Sequence, residues 1–242
     1  MKAVFKRELR SYFASPIGYV CVAALLALYG FYYFQVMMMG STSYITSAYN
    51  AMFTFCMMII PIITMRSMTD DRKNKTDQAL LTAPVGTLSI VIGKFLSSFF
   101  VYFIASTLGL LPAVALSFFS TPPWGVVLGN YVGTLLYGGA MVAIGVFISS
   151  LTVSQIIAAI GTFAVAVFLM FIDSLASGLS SSWVSAVVGW ISFNTRYTPF
   201  TQGLFNVSSA IFFLSVMAVF VFLTARKVAV SYTHLTLPTN SL

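Results

Sequence analysis

Long stretches without a single charge constrain this chain more than any other feature. No charged residue stands between Arg10 and Arg66, and none stands between Lys94 and Asp173. A membrane-crossing helix needs about 20 consecutive apolar residues, so each stretch is long enough for more than one crossing. Only 7% of the 242 residues are charged, whereas a soluble domain carries about 25%. The composition therefore predicts an all-α integral membrane protein.

Six segments are long enough and apolar enough to cross a membrane. They are residues 17–39, 49–65, 95–118, 126–149, 153–172 and 209–224. The uncharged stretch from 95 to 172 is too long for two crossings. It breaks at Ser120–Gly125, a turn-forming cluster with two prolines, and more softly at Ser149–Thr152. Three crossings therefore fit into this stretch.

The distribution of lysine and arginine orients these crossings, because both mark the cytoplasmic side of a membrane protein. With six crossings and both termini in the cytoplasm, all of the twelve basic residues except Arg196 lie on that side. A five-helix or seven-helix count would separate the two ends and break this agreement. The net charge of +7 is clustered at segment ends and not spread over one surface, so we expect no nucleic-acid partner.

Residues 1–14 predict an amphipathic helix that lies along the membrane. Phe5, Leu9, Tyr12 and Phe13 recur at helical spacing, and basic residues occupy the rest of the surface. Such a helix buries its apolar stripe among the lipid headgroups. The alternative is a frayed basic terminus that only sets the topology.

The loop from Arg66 to Lys94 is the most polar part of the chain. Thr69 or Asp70 could cap a short helix there, and Pro84 would end it. A loop of this length with its own helix is usually functional. A solvated run of charges is the alternative, and the residues alone leave both open.

The segment 174–208 is too apolar for a free loop. We expect short re-entrant helices that dip into the outer leaflet, anchored at the interface by Trp183 and Trp190. Non-helical backbone at this depth must be covered by protein or water.

Three glycines recur at four-residue intervals at the start of the fourth crossing. Gly125, Gly129 and Gly133 let another helix approach closely in lipid. The partner is either another helix of this chain or a second subunit. Pro61 and Pro112 are expected to kink the second and third crossings.

The chain lacks the residues that catalysis would need. His234 is the only histidine, so no Ser/His/Asp or Cys/His arrangement and no His/Cys metal cluster can be assembled. Gly86, Gly93 and Lys94 do not form a phosphate-binding loop, because six residues separate the glycines and Phe95 follows the lysine. We therefore expect no enzyme, and no catalytic, metal or cofactor residue. Energy for transport must come from another chain.

Three stretches carry a resemblance to a known family. They are Met1–Val20, then Pro61–Arg66 with Thr82–Val85 and Ile92–Phe95, and finally Ala143–Thr152 with Gln155 and Ile156. These stretches resemble the ABC-2 permease family, and most closely its gliding-motility-associated branch. The resemblance covers residues 1–227.

The resemblance implies a six-helix half-transporter in the bacterial cytoplasmic membrane. It would pair with a second permease copy or homologue and with two separate ATPase subunits, which hold ATP and Mg²⁺. In this family the loop after the second crossing carries a coupling helix that docks on the ATPase, and the corner between the fourth and fifth crossings is a second contact. The alternative function is a membrane scaffold that binds a cytoplasmic partner through residues 66–94 without transport.

Coupling residues follow from the same resemblance. In the loop they are Asp70, Asp71, Arg72, Thr76, Asp77, Leu80, Leu81 and Pro84, and at the second corner they are Ser149, Ser150 and Thr152.

The chain departs from the family pattern in two places. The family loop usually reads Glu-Arg-Lys-x-Gly-Thr-x-Glu; here Asp71 replaces its first glutamate, Lys75 replaces its glycine, and Asp77 keeps an acidic residue beside the position of its last glutamate. Residues 231–242 match nothing in the family and resemble a translated sequencing adapter. We therefore expect a permease domain over residues 1–230, with a non-native tail that includes His234.

Overall fold

The computed structural model describes residues 1–40, 44–76, 86–119, 121–177 and 188–236, and the side chains of all these except 173–177 and 231–236. Every regular element in these ranges is a helix. The helices are α1 (Lys2–Ala14), α2 (Pro16–Met38), α3 (Ile45–Thr64), α4 (Arg66–Lys73), α5 (Thr87–Leu108), α6 (Leu111–Leu116), α7 (Trp124–Ser149), α8 (Gln155–Ser177), α9 (Phe193–Thr201) and α10 (Val207–Thr236). Residues 188–191 add one further helical turn.

Six helical stretches are long and apolar enough to cross a membrane, which confirms the predicted all-α fold with six crossings. They are Pro16–Met38, Ile45–Lys73, Thr87–Leu116, Trp124–Ser149, Gln155–Ile172 and Val207–Val230. The second stretch combines α3 with α4, and the third combines α5 with α6. Cytoplasmic placement of both termini stays a prediction.

The fourth crossing, α7, is the axis of the bundle. It packs against α3, α5, α8, α9 and α10. Its small residues make this possible, because a Cβ atom at Gly138 would overlap the Tyr102 ring and one at Gly145 would overlap the Thr64 side chain. Small residues permit the close helix contact that holds helices together in lipid. The outer surface of the bundle, in contrast to its small-residue interior contacts, carries large exposed apolar side chains such as Phe31, Ile160 and Ile211.

The third crossing begins earlier than predicted and is broken near its far end. It starts at Thr87, not at residue 95, so Lys94 lies inside α5 with a side chain only 2% exposed. Carboxylates that neutralise Lys94 allow this burial. The helix stops at Leu108 and restarts at Leu111, because Pro112 lacks an N–H group and its ring excludes the Leu108 carbonyl. Pro61 lies inside α3 without ending it.

The predicted cap at Thr69 or Asp70 is wrong, since both residues lie within α4. Only Met65 separates α4 from α3, and its backbone stays helical (φ −53°, ψ −34°). Thr69 donates its hydroxyl to the Met65 carbonyl at 2.6 Å, which is the bond of a residue inside a helix. The helix is therefore an extension of the second crossing that ends at Lys73.

The N-terminal segment forms a helix, α1, over almost the predicted range. Its apolar stripe packs on the protein: Val4 and Tyr12 are buried, and the Phe5 ring makes an edge contact with Phe100 at 5.8 Å between centroids. Helix α5 is its principal partner. The stripe is therefore largely covered by α5, while placement at the lipid headgroups stays a prediction.

Between the fifth and sixth crossings the described residues contain α9 and the helical turn 188–191. Trp190 is 72% exposed, as an interface anchor would be, whereas Trp183 lies outside the described residues. Entry of this segment into the outer leaflet stays a prediction. The last helix, α10, continues past Val230 to Thr236, and the division of the chain at residue 230 is likewise a prediction.

Candidate functional site

Ion pairs connect three helices at one end of the bundle, around Lys94. The Lys94 ammonium lies 2.5 Å from the Asp71 carboxylate and 3.1 Å from the Glu8 carboxylate. It also donates a hydrogen bond to the Ser67 carbonyl at 2.6 Å. An ammonium group has three donors, and here all three have an acceptor. This removes the large cost of burying an unpaired charge.

A second cation completes a four-residue group that we call the ionic cluster: Arg7, Glu8, Asp71 and Lys94. The Arg7 guanidinium lies 2.5 Å from Glu8 and 3.0 Å from Asp71. Partial burial disfavours its charge, but Glu8 and Asp71 outweigh this and raise the pKa of Arg7 above its ordinary value. Two cations and two carboxylates therefore hold α1, α4 and α5 together as one neutral unit.

A neighbouring set of contacts connects α4 to α1 and α8 through Asp70. Arg66 donates from Nε to Asp70 at 3.1 Å and from its terminal nitrogen to the Ser11 hydroxyl at 3.1 Å. Its guanidinium also lies over the Tyr12 ring, 5.5 Å from the centroid. The Gln155 side-chain amide donates to the other Asp70 oxygen. Asp70 thus joins the end of the second crossing to the start of the fifth.

The corner after the fourth crossing contacts the end of the second crossing. Of its three predicted coupling residues, only Ser149 makes this contact. The buried Ser149 hydroxyl accepts from the Met68 N–H at 3.0 Å and donates to the Met65 carbonyl at 3.2 Å. Ser150 and Thr152 instead bond locally, to the Phe147 carbonyl at 2.6 Å and from the Ser154 N–H at 3.2 Å. The two predicted coupling segments are therefore in direct contact.

The loop leaves α4 through a left-handed residue, Lys75, which has φ 56°. Its N–H bonds to the Arg72 carbonyl at 3.2 Å, and the preceding N–H of Asn74 bonds to the Asp70 carbonyl at 3.0 Å. This is the αL ending that usually carries glycine. The position is the one where the resembling family has glycine, so the backbone keeps the geometry although the residue differs.

The remaining loop residues divide into two groups. Thr76 donates its hydroxyl to the Asp71 carboxylate at 2.7 Å, and Arg72 is half-buried in the last turn of α4. Asp77, Leu80, Leu81 and Pro84 lie outside the described residues, and their roles stay predictions.

The glycine run of α7 faces α9 and the turn after it within the same chain. A Cβ atom at Gly133 would lie 2.6 Å from the Phe200 Cβ, and one at Gly129 would lie 2.8 Å from the Gly203 Cα. A Cβ atom at Gly125 would meet open space, but one at Gly203 would lie 3.0 Å from the Gly125 backbone. The geometry favours the intrachain alternative for this run.

An open cavity of about 680 Å³ lies at the opposite end of the bundle, between α9 and the start of α10. Its polar lining consists of Asn194, Thr195, Thr198, Gln202 and Asn206. Amides and hydroxyls can bind a polar molecule, but they provide no acid or base. Nowhere in the described ranges do three or more His, Cys, Asp or Glu side chains form a group that could hold a metal.

Sequence reasoning missed Glu8, Lys94 and Gln155 as site residues. A signal was present, because Glu8 is the only acidic residue among the first ten and Lys94 follows Gly93 in an otherwise apolar helix. The topology argument uses Lys94 only as a cytoplasmic charge and gives Glu8 no role. A single acidic residue near a single lysine at the start of an apolar helix is the signal that points to this contact.

Comparison with known proteins supplies one match. The sequence profile of a family described as ABC-2 family transporter protein matches residues 26–227. That range contains every site residue above except those of α1. No curated protein matches the chain.

Proposed function

Because this chain belongs to the ABC-2 family of transporter proteins, we propose that it is the membrane-spanning permease subunit of an ABC-2 transporter that exports or moves a substrate. It is a multi-pass membrane protein, and the family implies an ABC ATPase as its partner. That partner would hold ATP and Mg²⁺, and this chain would convert the partner's motion into movement of its helices.

The observation that carries this proposal is the contact of Lys94 with both Asp71 and Glu8. The loop between α4 and α5 is flanked by two members of the ionic cluster, Asp71 before it and Lys94 after it. A push on this loop would therefore move α1, α4 and α5 together. Ser149 and Gln155 would pass the movement to α7 and α8.

The same contacts suggest separate roles for the loop residues. Asp70 and Asp71 already bond within the chain, so we assign them to positioning the loop. The ATPase would contact the exposed turn Lys73–Thr76 and the segment 77–85, to which Leu80 and Leu81 contribute apolar residues. Ser149 would act as the brace between the two coupling segments.

The test separates docking from coupling. Full-length chain is co-purified with its ABC ATPase and reconstituted in vesicles, and both ATPase recovery and ATP hydrolysis are measured. We expect Leu80→Glu to lower ATPase recovery, and Asp71→Asn to keep recovery but lower the stimulation of hydrolysis. Ser117→Ala, which removes only a local bond to the Val114 carbonyl at the far end of the third crossing, is the matched control.

Two outcomes would contradict the proposal. If both variants stimulate ATP hydrolysis as strongly as the original chain, the loop takes no part in coupling. ATPase that binds this chain with no change in hydrolysis would favour the scaffold function instead.

Finer features rest on the sequence resemblance. We propose pairing with a second permease copy or homologue, a position in the bacterial cytoplasmic membrane, and membership of the gliding-motility-associated branch, which the opening Met1–Val20 supports. Labelling from each side of the membrane tests the orientation. Thr76→Cys should react only from the cytoplasm and Phe118→Cys only from outside, in a background without Cys21 and Cys56.

A further inference from the structure

An apolar groove lies between α1 and the middle turns of α5, on the outside of the bundle. It has a volume of about 450 Å³ and is open along one side. Its lining is almost entirely hydrocarbon: the side chains of Met1, Lys2, Phe5, Leu96, Phe99, Phe100 and Phe103. The packing of α1 on α5 thus leaves a furrow that the protein itself does not fill.

The length of the groove along α5 corresponds to about two thirds of one membrane leaflet. Leu96 and Phe103 are two helical turns apart on α5, which corresponds to about 10 Å along the axis. One leaflet contributes about 15 Å of hydrocarbon. The groove therefore follows the upper part of an acyl chain, beginning near the ion-paired end of the bundle.

A stripe of free cations on α1 begins at the groove, where Lys2 is part of the lining. Lys2, Lys6 and Arg10 recur every four residues on one face of α1, and all three are exposed. None of them makes an ion pair within the part of the chain that the structure describes, because Arg7, Arg66 and Lys94 engage the carboxylates nearby. The apolar groove suits an acyl chain, and the unpaired cations suit an anionic headgroup, so together they are complementary to an anionic lipid.

We propose that this groove binds an anionic phospholipid of the leaflet that faces α1. One acyl chain lies along Phe99, Phe100 and Phe103, and the headgroup phosphate pairs with Lys2 and Lys6. The bound lipid fastens α1 to α5 from outside, as the ionic cluster does from inside. The site stands independently of any ATPase partner.

Native mass spectrometry of the full chain in detergent tests the proposal. The chain is mixed with phosphatidylglycerol or with phosphatidylcholine of the same acyl length, and the retained lipid is counted. We expect preferential retention of phosphatidylglycerol. Removing each cation, in Lys2→Gln and Lys6→Gln, should lower that retention about fivefold.

Two tryptophan variants separate the groove from the general lipid surface. Leu96→Trp fills the groove and should abolish retention, whereas Ile160→Trp, on the exposed face of α8, should leave it unchanged. The lysine variants are at exposed positions and keep the test decisive if Leu96→Trp does not fold.

Three results would overturn the proposal. Equal retention of the two lipids would show that the site does not recognise the headgroup charge. Retention that survives Leu96→Trp would show that the lipid does not bind in the groove. A dimer that Leu96→Trp dissociates, with no lipid retained by the original chain, would mean that a second copy covers this surface.

Discussion

The Lys94 ammonium lies 2.5 Å from the Asp71 carboxylate, and this contact closes the base of the loop between α4 and α5. Glu8 approaches the same ammonium from α1 at 3.1 Å. The loop to which the family resemblance assigns the coupling role is therefore anchored at both ends through one buried cation. Four predictions follow from this arrangement and from the helix contacts around it.

Removing the buried cation should destabilise the protein strongly. Lys94→Met leaves Asp71 and Glu8 with only the half-exposed Arg7 as a shared partner, and breaking a buried pair in this way costs about 3 kcal/mol. Thermal unfolding in detergent, followed by circular dichroism, measures the loss. Lys94→Met combined with Asp71→Asn should recover part of it; a double variant as unstable as the sum of its parts would argue against direct coupling.

The hydroxyl of Ser149 should matter more than that of its neighbour. Ser149→Ala leaves the buried Met68 N–H and the Met65 carbonyl without this partner, a change worth about 1–2 kcal/mol. Ser150→Ala removes only a bond to the Phe147 carbonyl of its own helix and should be nearly neutral. The same unfolding measurement compares them, and equal effects would show that the bridge to α4 contributes nothing.

Glycine at position 75 should stabilise the protein. Lys75 has φ 56°, and a left-handed conformation costs a residue with a Cβ about 1–2 kcal/mol. Lys75→Gly removes this cost, partly offset by the greater freedom of glycine in the unfolded chain, for a net gain of about 0.5 kcal/mol. Lys73→Gly, inside α4, should instead destabilise by about 1 kcal/mol. Opposite shifts in melting temperature are the expected result; a loss of stability in both variants would contradict it.

Replacing a glycine of the α7 run by alanine should change the stability of the protein in a way that depends on the position. Gly133→Ala pushes against the Phe200 side chain and should cost about 1–3 kcal/mol, whereas Gly125→Ala meets open space and should raise stability by up to about 1 kcal/mol. Unfolding measurements on the monomeric chain in detergent distinguish them. If both changes are neutral in the monomer but dissociate a dimer, the run packs against a second subunit.

The six crossings could be predicted because they depend on local composition. A run of apolar residues must find lipid or a protein interior wherever it lies, so the count needs no knowledge of tertiary contacts. The sequence predicts too late a start for α5, because Lys94 counts there as a charge of the cytoplasmic loop. Its burial depends on Glu8 and Asp71, which come from distant parts of the chain.

The same limit explains why the predicted capping residues of the loop are wrong. Thr69 and Asp70 are good capping residues, and their local pattern fits a helix start. The backbone instead continues from α3 through Met65, and Ser149 holds that junction from another helix. Capping preference is worth about 1 kcal/mol, so a tertiary contact of similar strength readily overrides it.

The continuity of α3 and α4 has a mechanical consequence. Together they form a stretch of 29 residues, which is about 43 Å at 1.5 Å per residue, against about 30 Å of hydrocarbon. The excess projects as a stiff arm whose tip is the turn at Lys75. Pro61 removes one hydrogen bond from this rod, about one turn before the Ser149 brace. A load on the tip would therefore tilt the arm about Pro61, so a small displacement outside the membrane becomes a rotation within it.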